Sequence, residues 1–141
     1  MQGWWKDTGT VEAMLEANRL ILEDLDPQQH GALEDSRIEG RVAIGEGSSI
    51  KSSTIRGPVV IGQGCLIENA YIGPFTSIDS QTQVVNSEIE YSIVMRECVL
   101  SDLTNRIEGS LIGRGVTIKG SVSIPRTLNL VMGDNSSAVI P

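Results

Sequence analysis

From Ile38 to Ile124 a branched aliphatic residue returns every five to seven positions. The series runs Ile38, Ile44, Ile50, Ile55, Ile61, Ile67, Ile72, Ile78, Val84, Ile89, Val94, Leu100, Ile107, Ile112, Ile118, Ile124. Two residues ahead of each stands a second series, among them Ser36, Val42, Ser48, Ser53, Cys65, Ala70, Thr82, Cys98 and Val116. Every member of it except Asn105 is small or β-branched. Neither an α-helix nor a plain strand produces a period near six. The pattern is an internal repeat.

Ile38, Ile55, Ile72 and Ile89 are spaced by seventeen residues, as six, six and five. Three short strands per turn make a triangular coil, and each strand would pair with the coils above and below at about 4.8 Å. The pattern predicts a parallel β-helix of five coils over 38–54, 55–71, 72–88, 89–106 and 107–123. The aliphatics point inward and the small residues fit near the corners. Gly45, Gly62, Gly73 and Gly113 follow the aliphatic, and Pro58 and Pro74 fall in corner segments; both residue types suit a chain that bends this often. Steps of five, six and seven between Ile89 and Ile107 predict a distorted fourth coil.

The flanks read differently. Thr10 to Leu25 predicts a helix, with Thr10 as N-cap, Glu12 in the first turn, and Val11, Met14, Leu15, Asn18, Leu22 and Leu25 on one face. Leu20 and Ile21 widen its apolar stripe. Asp26 to Asp35 reads as a polar loop, because Pro27 stops the helix and Gly31 adds freedom. Beyond Ile124, Leu128, Leu130 and Met132 alternate before Gly-Asp-Asn-Ser, which predicts a hairpin cap on the open end of the coil. The expected organisation is therefore 1–25 as a chain end plus helix, 26–36 as linker, 37–124 as β-helix and 125–141 as cap.

Composition supports one domain of 141 residues with scarce aromatics (4%), as a prism filled by Ile and Val requires. A net charge of −7 excludes nucleic acid and anionic membrane as natural partners. No eighteen-residue apolar run and no signal-peptide pattern occurs, so a cytoplasmic chain is expected. Cys65 and Cys98 share the inward series two coils apart. Their Cα atoms would lie roughly 9–10 Å from one another, beyond disulfide reach, so both are expected free and buried.

Candidate chemistry is sparse. His30, the sole histidine, lies in the expected linker and reads as a solvated surface residue. No His/Cys/Asp cluster has metal-ligand spacing, and no nucleophile stands beside a base, so no catalytic residue is assigned. The hexapeptides of form aliphatic-Gly-x-x-small-x resemble the left-handed β-helix family, which includes many acyl- and acetyltransferases. The left hand is implied by that resemblance alone. Those enzymes generally use a histidine on a coil at a subunit boundary, and none is expected on a coil here. A hexapeptide-repeat acetyltransferase acting on an amino-sugar phosphate is therefore the alternative reading.

The first ten residues, MQGWWKDTGT, could be a frayed end whose aromatics cover the first helix or coil. They also carry a second resemblance. Gly3 to Leu22 (GWWKDTGTVEAMLEANRLIL), with its Trp5-Lys6-Asp7-Thr8-Gly9 run, is similar to the end of the catalytic domain of sugar-1-phosphate nucleotidylyltransferases. Within that family it is most similar to long-form glucose-1-phosphate thymidylyltransferases, which carry a C-terminal left-handed β-helix. The runs EIEYSIVM and RIEGSLIG resemble that family's distorted coil. The resemblance implies that Asp7 is one of two acids holding Mg²⁺ between sugar phosphate and nucleotide. The glycine-rich nucleotide loop, the other metal acid and the sugar pocket have no counterpart in these residues. The expectation is a structural, oligomerising or regulatory piece, itself without cofactor, whose partners are a separate N-terminal catalytic domain and copies of itself, a trimer being favoured.

One outward column, Ala43, Val60, Ser77, Ile93 and Leu111, is mainly apolar. Another, Arg37, Thr54, Tyr71, Glu88 and Arg106, is polar. The contrast predicts that the first is covered, either by another copy through Ala43, Val60, Ile93 and Leu111 or by the 10–25 helix.

Overall fold

A computed structural model describes residues 10–120, 129–135 and 137. It shows a three-sided parallel β-helix with one α-helix laid on a side, the strands being numbered in chain order. Side A stacks β1 (Gln28–Gln29), β4 (Val42–Ile44), β7 (Val59–Ile61), β10 (Thr76–Ile78), β13 (Ile93–Val94) and β16 (Leu111–Ile112). Side B stacks β2 (Ala32–Glu34), β5 (Ser49–Lys51), β8 (Leu66–Glu68), β11 (Gln83–Val85), β14 (Val99–Ser101) and β17 (Thr117–Lys119), and ends in β18 (Asn129–Val131). Side C holds β3 (Arg37–Glu39), β6 (Thr54–Arg56), β9 (Tyr71–Ile72), β12 (Glu88–Glu90) and β15 (Ile107–Glu108).

The aliphatic series fills the prism. Ile44, Ile50, Ile55, Ile61, Ile67, Ile72, Ile78, Val84, Ile89, Val94, Leu100, Ile112 and Ile118 are all buried in one core. Ladder pairing keeps the register: Ile50 faces Ile67 across β5 and β8, and Ile67 faces Val84 across β8 and β11. The distorted coil is present. Ser77 pairs with Ile93 sixteen residues on, while Ile89 pairs with Ile107 eighteen residues on. Asn105 does not enter the small inward series as its position suggested; it is exposed, and Leu103 packs on the core instead.

The small inward residues have a second role besides size. At each corner the chain leaves one strand for the next, and the N–H of the small residue falls outside the strand ladders. Where the small residue one coil earlier is a serine, its hydroxyl accepts it, whereas Val59 N–H, one coil above Val42, donates to Arg41 O at 3.0 Å. Ser36 Oγ accepts from Ser53 N–H at 3.1 Å, Ser53 Oγ from Ala70 N–H at 3.0 Å, Ser48 Oγ from Cys65 N–H at 3.0 Å and Ser92 Oγ from Ser110 N–H at 3.1 Å. Each hydroxyl also donates to a carbonyl, as Ser53 does to Lys51 O at 2.7 Å. Among the described residues, no buried side-chain nitrogen or oxygen lacks a partner, as burial of polar groups demands.

The bends fall on left-handed residues. One corner column reads Asp35, Ser52, Asn69, Asn86 and Asp102, with φ between 49° and 56°, where Asn and Asp are the tolerated side chains. The glycines that follow the aliphatics do not make the bends as expected. Gly62 is absent from the positive-φ set, and a Cβ there would sit 2.7 Å from the Ser80 backbone nitrogen. It permits close coil stacking, whereas Gly64, two residues on, takes φ +65°.

Residues 26–36, expected as a linker, carry β1 and β2. These pair with β4 and β5 and form the lowest coil. Few branched aliphatics are needed there, because an end coil has only one neighbour; Leu33, at the inward position, remains 41% exposed. The Gln29 side chain substitutes for the missing coil below, donating to Gly31 O and accepting from Gly31 N–H, both at 2.9 Å. At the other end β18 runs antiparallel to β17, and Ser137 bridges to Leu111. The cap thus joins the prism's own last strands; the expected return at Ala138–Ile140 lies outside the described residues.

Helix α1 (Val11–Glu23) starts at Thr10, whose side chain accepts from Ala13 N–H, and buries Leu15 and Leu22. It lies on side A. Asn18 accepts from Ser77 Oγ at 2.7 Å and donates to Phe75 O at 3.4 Å, and Leu25 O accepts from Arg41 at 3.2 Å. Asn18 and Leu25, just past the helix end, are seven residues apart, about 10.5 Å at helical rise, and their partners stand two coils apart, about 9.6 Å by coil spacing. The helix therefore runs along the prism axis.

Ser53→Ala leaves the Ala70 N–H without its buried acceptor and should lower unfolding free energy by about 1–2 kcal/mol in a urea titration. Gly62→Ala should cost more than Gly115→Ala in the same assay. The first pushes on backbone, whereas the second has open space around it and only an unfavourable φ of +71°, worth roughly 1 kcal/mol.

Candidate functional site

Side C and its corner with side B form an open polar groove of about 640 Å³, lined by Ser52, Thr54, Arg56, Asn69, Tyr71, Asn86, Glu88, Leu103 and Arg106. The polar column foreseen from sequence is its wall: Arg37, Thr54, Tyr71 and Glu88 pair in register across β3, β6, β9 and β12. Two guanidinium groups lie over the Tyr71 ring, Arg106 4.6 Å and Arg56 5.8 Å from its centre. Arg106 donates to Glu88 at 2.9 Å and to Glu90 at 3.1 Å, and Arg56 donates to Glu39 at 3.0 Å. The Glu88 carboxylate beside it raises the Arg106 pKa above its ordinary value. On the corner, Asn69 donates to Asn86 Oδ1 and Asn86 to Asp102 Oδ1, both at 2.8 Å.

The two arginines that lie over Tyr71 are thus neutralised by carboxylates of the same wall. This is a self-satisfied polar lattice. Among its described residues it has no free cation aimed at an anion and no base beside a nucleophile. Sequence reasoning placed the column but missed the stack, whose signal was an aromatic flanked by arginines at 56 and 106 on one strand face.

The other candidate residues fall elsewhere. Asp7 lies outside the described residues, and among those described no group of three His, Cys, Asp or Glu could hold a metal. Ala43, Val60, Ser77, Ile93 and Leu111 do form one column across β4, β7, β10, β13 and β16. That face carries α1, and Leu111 is already only 5% exposed within the chain. The surface that another molecule would meet there is the outer side of the helix.

His30 corrects an expectation. It is on a coil, between β1 and β2, where its N–H donates to Ile44 O at 3.0 Å. Its side chain is exposed and belongs to the open end coil, away from the groove residues.

Cys65 and Cys98 are free and buried as expected. Each donates inward, Cys65 to Asp79 O at 3.2 Å and Cys98 to Gly113 O at 3.0 Å. Burial pushes both thiols up from their ordinary pKa, so neither offers a thiolate nucleophile near neutrality. A thiol whose folded pKa is raised stabilises the fold below the unfolded thiol's pKa, about 8.5, and loses that contribution as pH rises further. Urea midpoints should therefore fall between pH 8 and 10, and fall less in the Cys65→Ala/Cys98→Ala double variant.

No family model matches the chain. It is 44% identical over 141 residues to the glucose-1-phosphate thymidylyltransferase of Streptomyces antibioticus, covering 99% of this chain. It is 45% identical over 141 residues to that of Streptomyces griseus, again covering 99% of this chain. A third relative, the low-salt glycan biosynthesis nucleotidyltransferase Agl11 of Haloferax volcanii, is 43% identical over 141 residues and covers 96% of this chain. In each case the chain spans 39% of the relative's length. Across nearly all of its residues, then, the chain corresponds to the C-terminal part of glucose-1-phosphate thymidylyltransferases.

Proposed function

We propose that this chain is the structural C-terminal region of a cytoplasmic enzyme that joins glucose 1-phosphate to dTTP and releases pyrophosphate. It works there in oligomerisation, with a trimer favoured, or in regulation, and does not perform the chemistry. The observation that supports this reading is the match of nearly the whole chain, at 44–45% identity, to 39% of two thymidylyltransferases. The interior leaves no room for a substrate, because aliphatics and paired hydroxyls fill it from Val42 to Ile118. The polar groove outside satisfies its own charges. Mg²⁺, if Asp7 contributes to holding it, would be shared with acids of the preceding domain. A hard cation there would neutralise phosphate oxygens during transfer.

The purified chain, given dTTP, glucose 1-phosphate and Mg²⁺, should release no pyrophosphate above a protein-free blank. Steady turnover by this chain would overturn the non-catalytic assignment.

A further inference from the structure

The ion pairs of side C satisfy the arginines of the groove but not all of its neutral polar atoms. At the corner with side B, Asn69, Asn86 and Asp102 stand on consecutive coils and form a hydrogen-bonded ladder. Asp102 sets the direction of that ladder, because a carboxylate only accepts. It takes a hydrogen from the Asn86 amide nitrogen, which turns the Asn86 oxygen toward the Asn69 amide. Each carboxamide nitrogen keeps one hydrogen that the ladder does not use. Below them, the Asn69 oxygen and the hydroxyls of Ser52 and Thr54 have no hydrogen-bond partner among the described residues.

Charge and spacing decide the occupant. Arg106 is engaged by Glu88 and Glu90, and Arg56 by Glu39. An anion would compete with those carboxylates and would also approach Asp102, which has no ion-pair partner among the described residues. A neutral ligand rich in hydroxyls meets neither obstacle. The ladder repeats with the coil, about 4.8 Å. An extended peptide presents like-facing groups every two residues, about 6.6–6.8 Å, and so falls out of step after one coil. A pyranose unit in an extended, diequatorially linked chain advances by nearly one coil. Its hydroxyls both donate and accept, as the mixed donors and acceptors of this ladder require.

We propose that the groove binds a linear, uncharged glycan lying along the prism axis, one sugar unit per coil from Ser52 to Asp102. Glycan oxygens accept from the unused amide hydrogens of Asn69 and Asn86. Glycan hydroxyls donate to Asp102 and to the Asn69 oxygen, and Ser52 and Thr54 hold the next unit. The ladder is fixed before the ligand arrives, which lowers the ordering cost of binding. The groove is open, so contact is one-sided and affinity is millimolar, unlike that of an enclosed pocket. This site lies on the prism's own surface and does not depend on the function proposed above.

Cellotetraose, an extended chain of uncharged pyranose units, is the probe, and the 141-residue chain is the protein. Saturation-transfer NMR should show magnetisation passing to the sugar protons, with a titration that saturates at millimolar concentration. Glucose, which spans a single coil, should bind about tenfold more weakly. Asn69→Gly/Asn86→Gly removes both carboxamides, and glycine keeps the left-handed φ of 49° and 51° at these corners. This variant should weaken cellotetraose binding by about tenfold or more, with its urea midpoint close to that of the parent chain. Thr54→Val, which keeps the strand residue β-branched, gives a second reading and should weaken binding about threefold. No transfer to cellotetraose at tens of millimolar would overturn the proposal, as would equal affinity in the parent chain and both variants. Displacement of the glycan by equimolar pyrophosphate would overturn it too, since the groove would then be an anion site.

Discussion

A backbone that turns three times per coil must find partners for the N–H groups that the turns remove from the ladders. In this molecule backbone carbonyls of the neighbouring coil take many of them, as Glu34 O does for Ser52, and side-chain hydroxyls take others. The Oγ of a buried serine in one coil accepts the corner N–H of the next, as Ser53 does for Ala70 and Ser48 for Cys65. Water cannot reach these corners, so an unpaired amide would be strongly unfavourable. The aliphatic core supplies most of the driving force. The hydroxyl column is what allows that core to be wrapped by a chain with such short strands. Across the distorted coil the register steps change from sixteen to eighteen residues and the hydroxyls follow: Ser87 Oγ accepts from Leu103 N–H at 3.2 Å, sixteen residues on, and Ser92 Oγ from Ser110 N–H at 3.1 Å, eighteen on.

The outside of the prism is divided in the same economical manner. Side A gives its outward column to a helix, side C closes on itself through Tyr71 and the arginine–carboxylate lattice, and side B receives the final strand. Exposed ion pairs of this kind contribute little to stability singly. Their effect here is to neutralise Arg56 and Arg106 within the side C groove.

Much of this was legible because the aliphatic repeat is read by counting. A seventeen-residue spacing at Ile38, Ile55, Ile72 and Ile89 specifies three sides and the register, and the fold keeps both. The first coil was not legible. Gln28, Gln29 and Ala32 carry no aliphatic signal, since an end coil is wet on one side, and His30 was placed off the prism in consequence. The role of Gly62 was hidden as well: sequence shows a glycine but not whether dihedral freedom or absence of a Cβ is wanted. Size alone explained why Ser, Thr and Cys occupy the corners, and their hydrogen bonds became visible only once adjacent coils were stacked. The hand of the coil is outside any periodicity argument. The site residues fared similarly: the columns were correct as columns, while what lies on each depends on how a helix far away in sequence packs.

The lengthwise course of α1 has an evolutionary consequence. Repeat proteins ordinarily gain and lose units freely, because each unit touches only its neighbours. Here a second element spans the stack and measures it, with one coil corresponding to about three helical residues. Duplication of a coil would slide Asn18 off Ser77 unless close to one helical turn were inserted at the same time. Coil number is thereby quantised jointly with helix length, so the domain behaves as a gauge whose height cannot drift by single-unit changes.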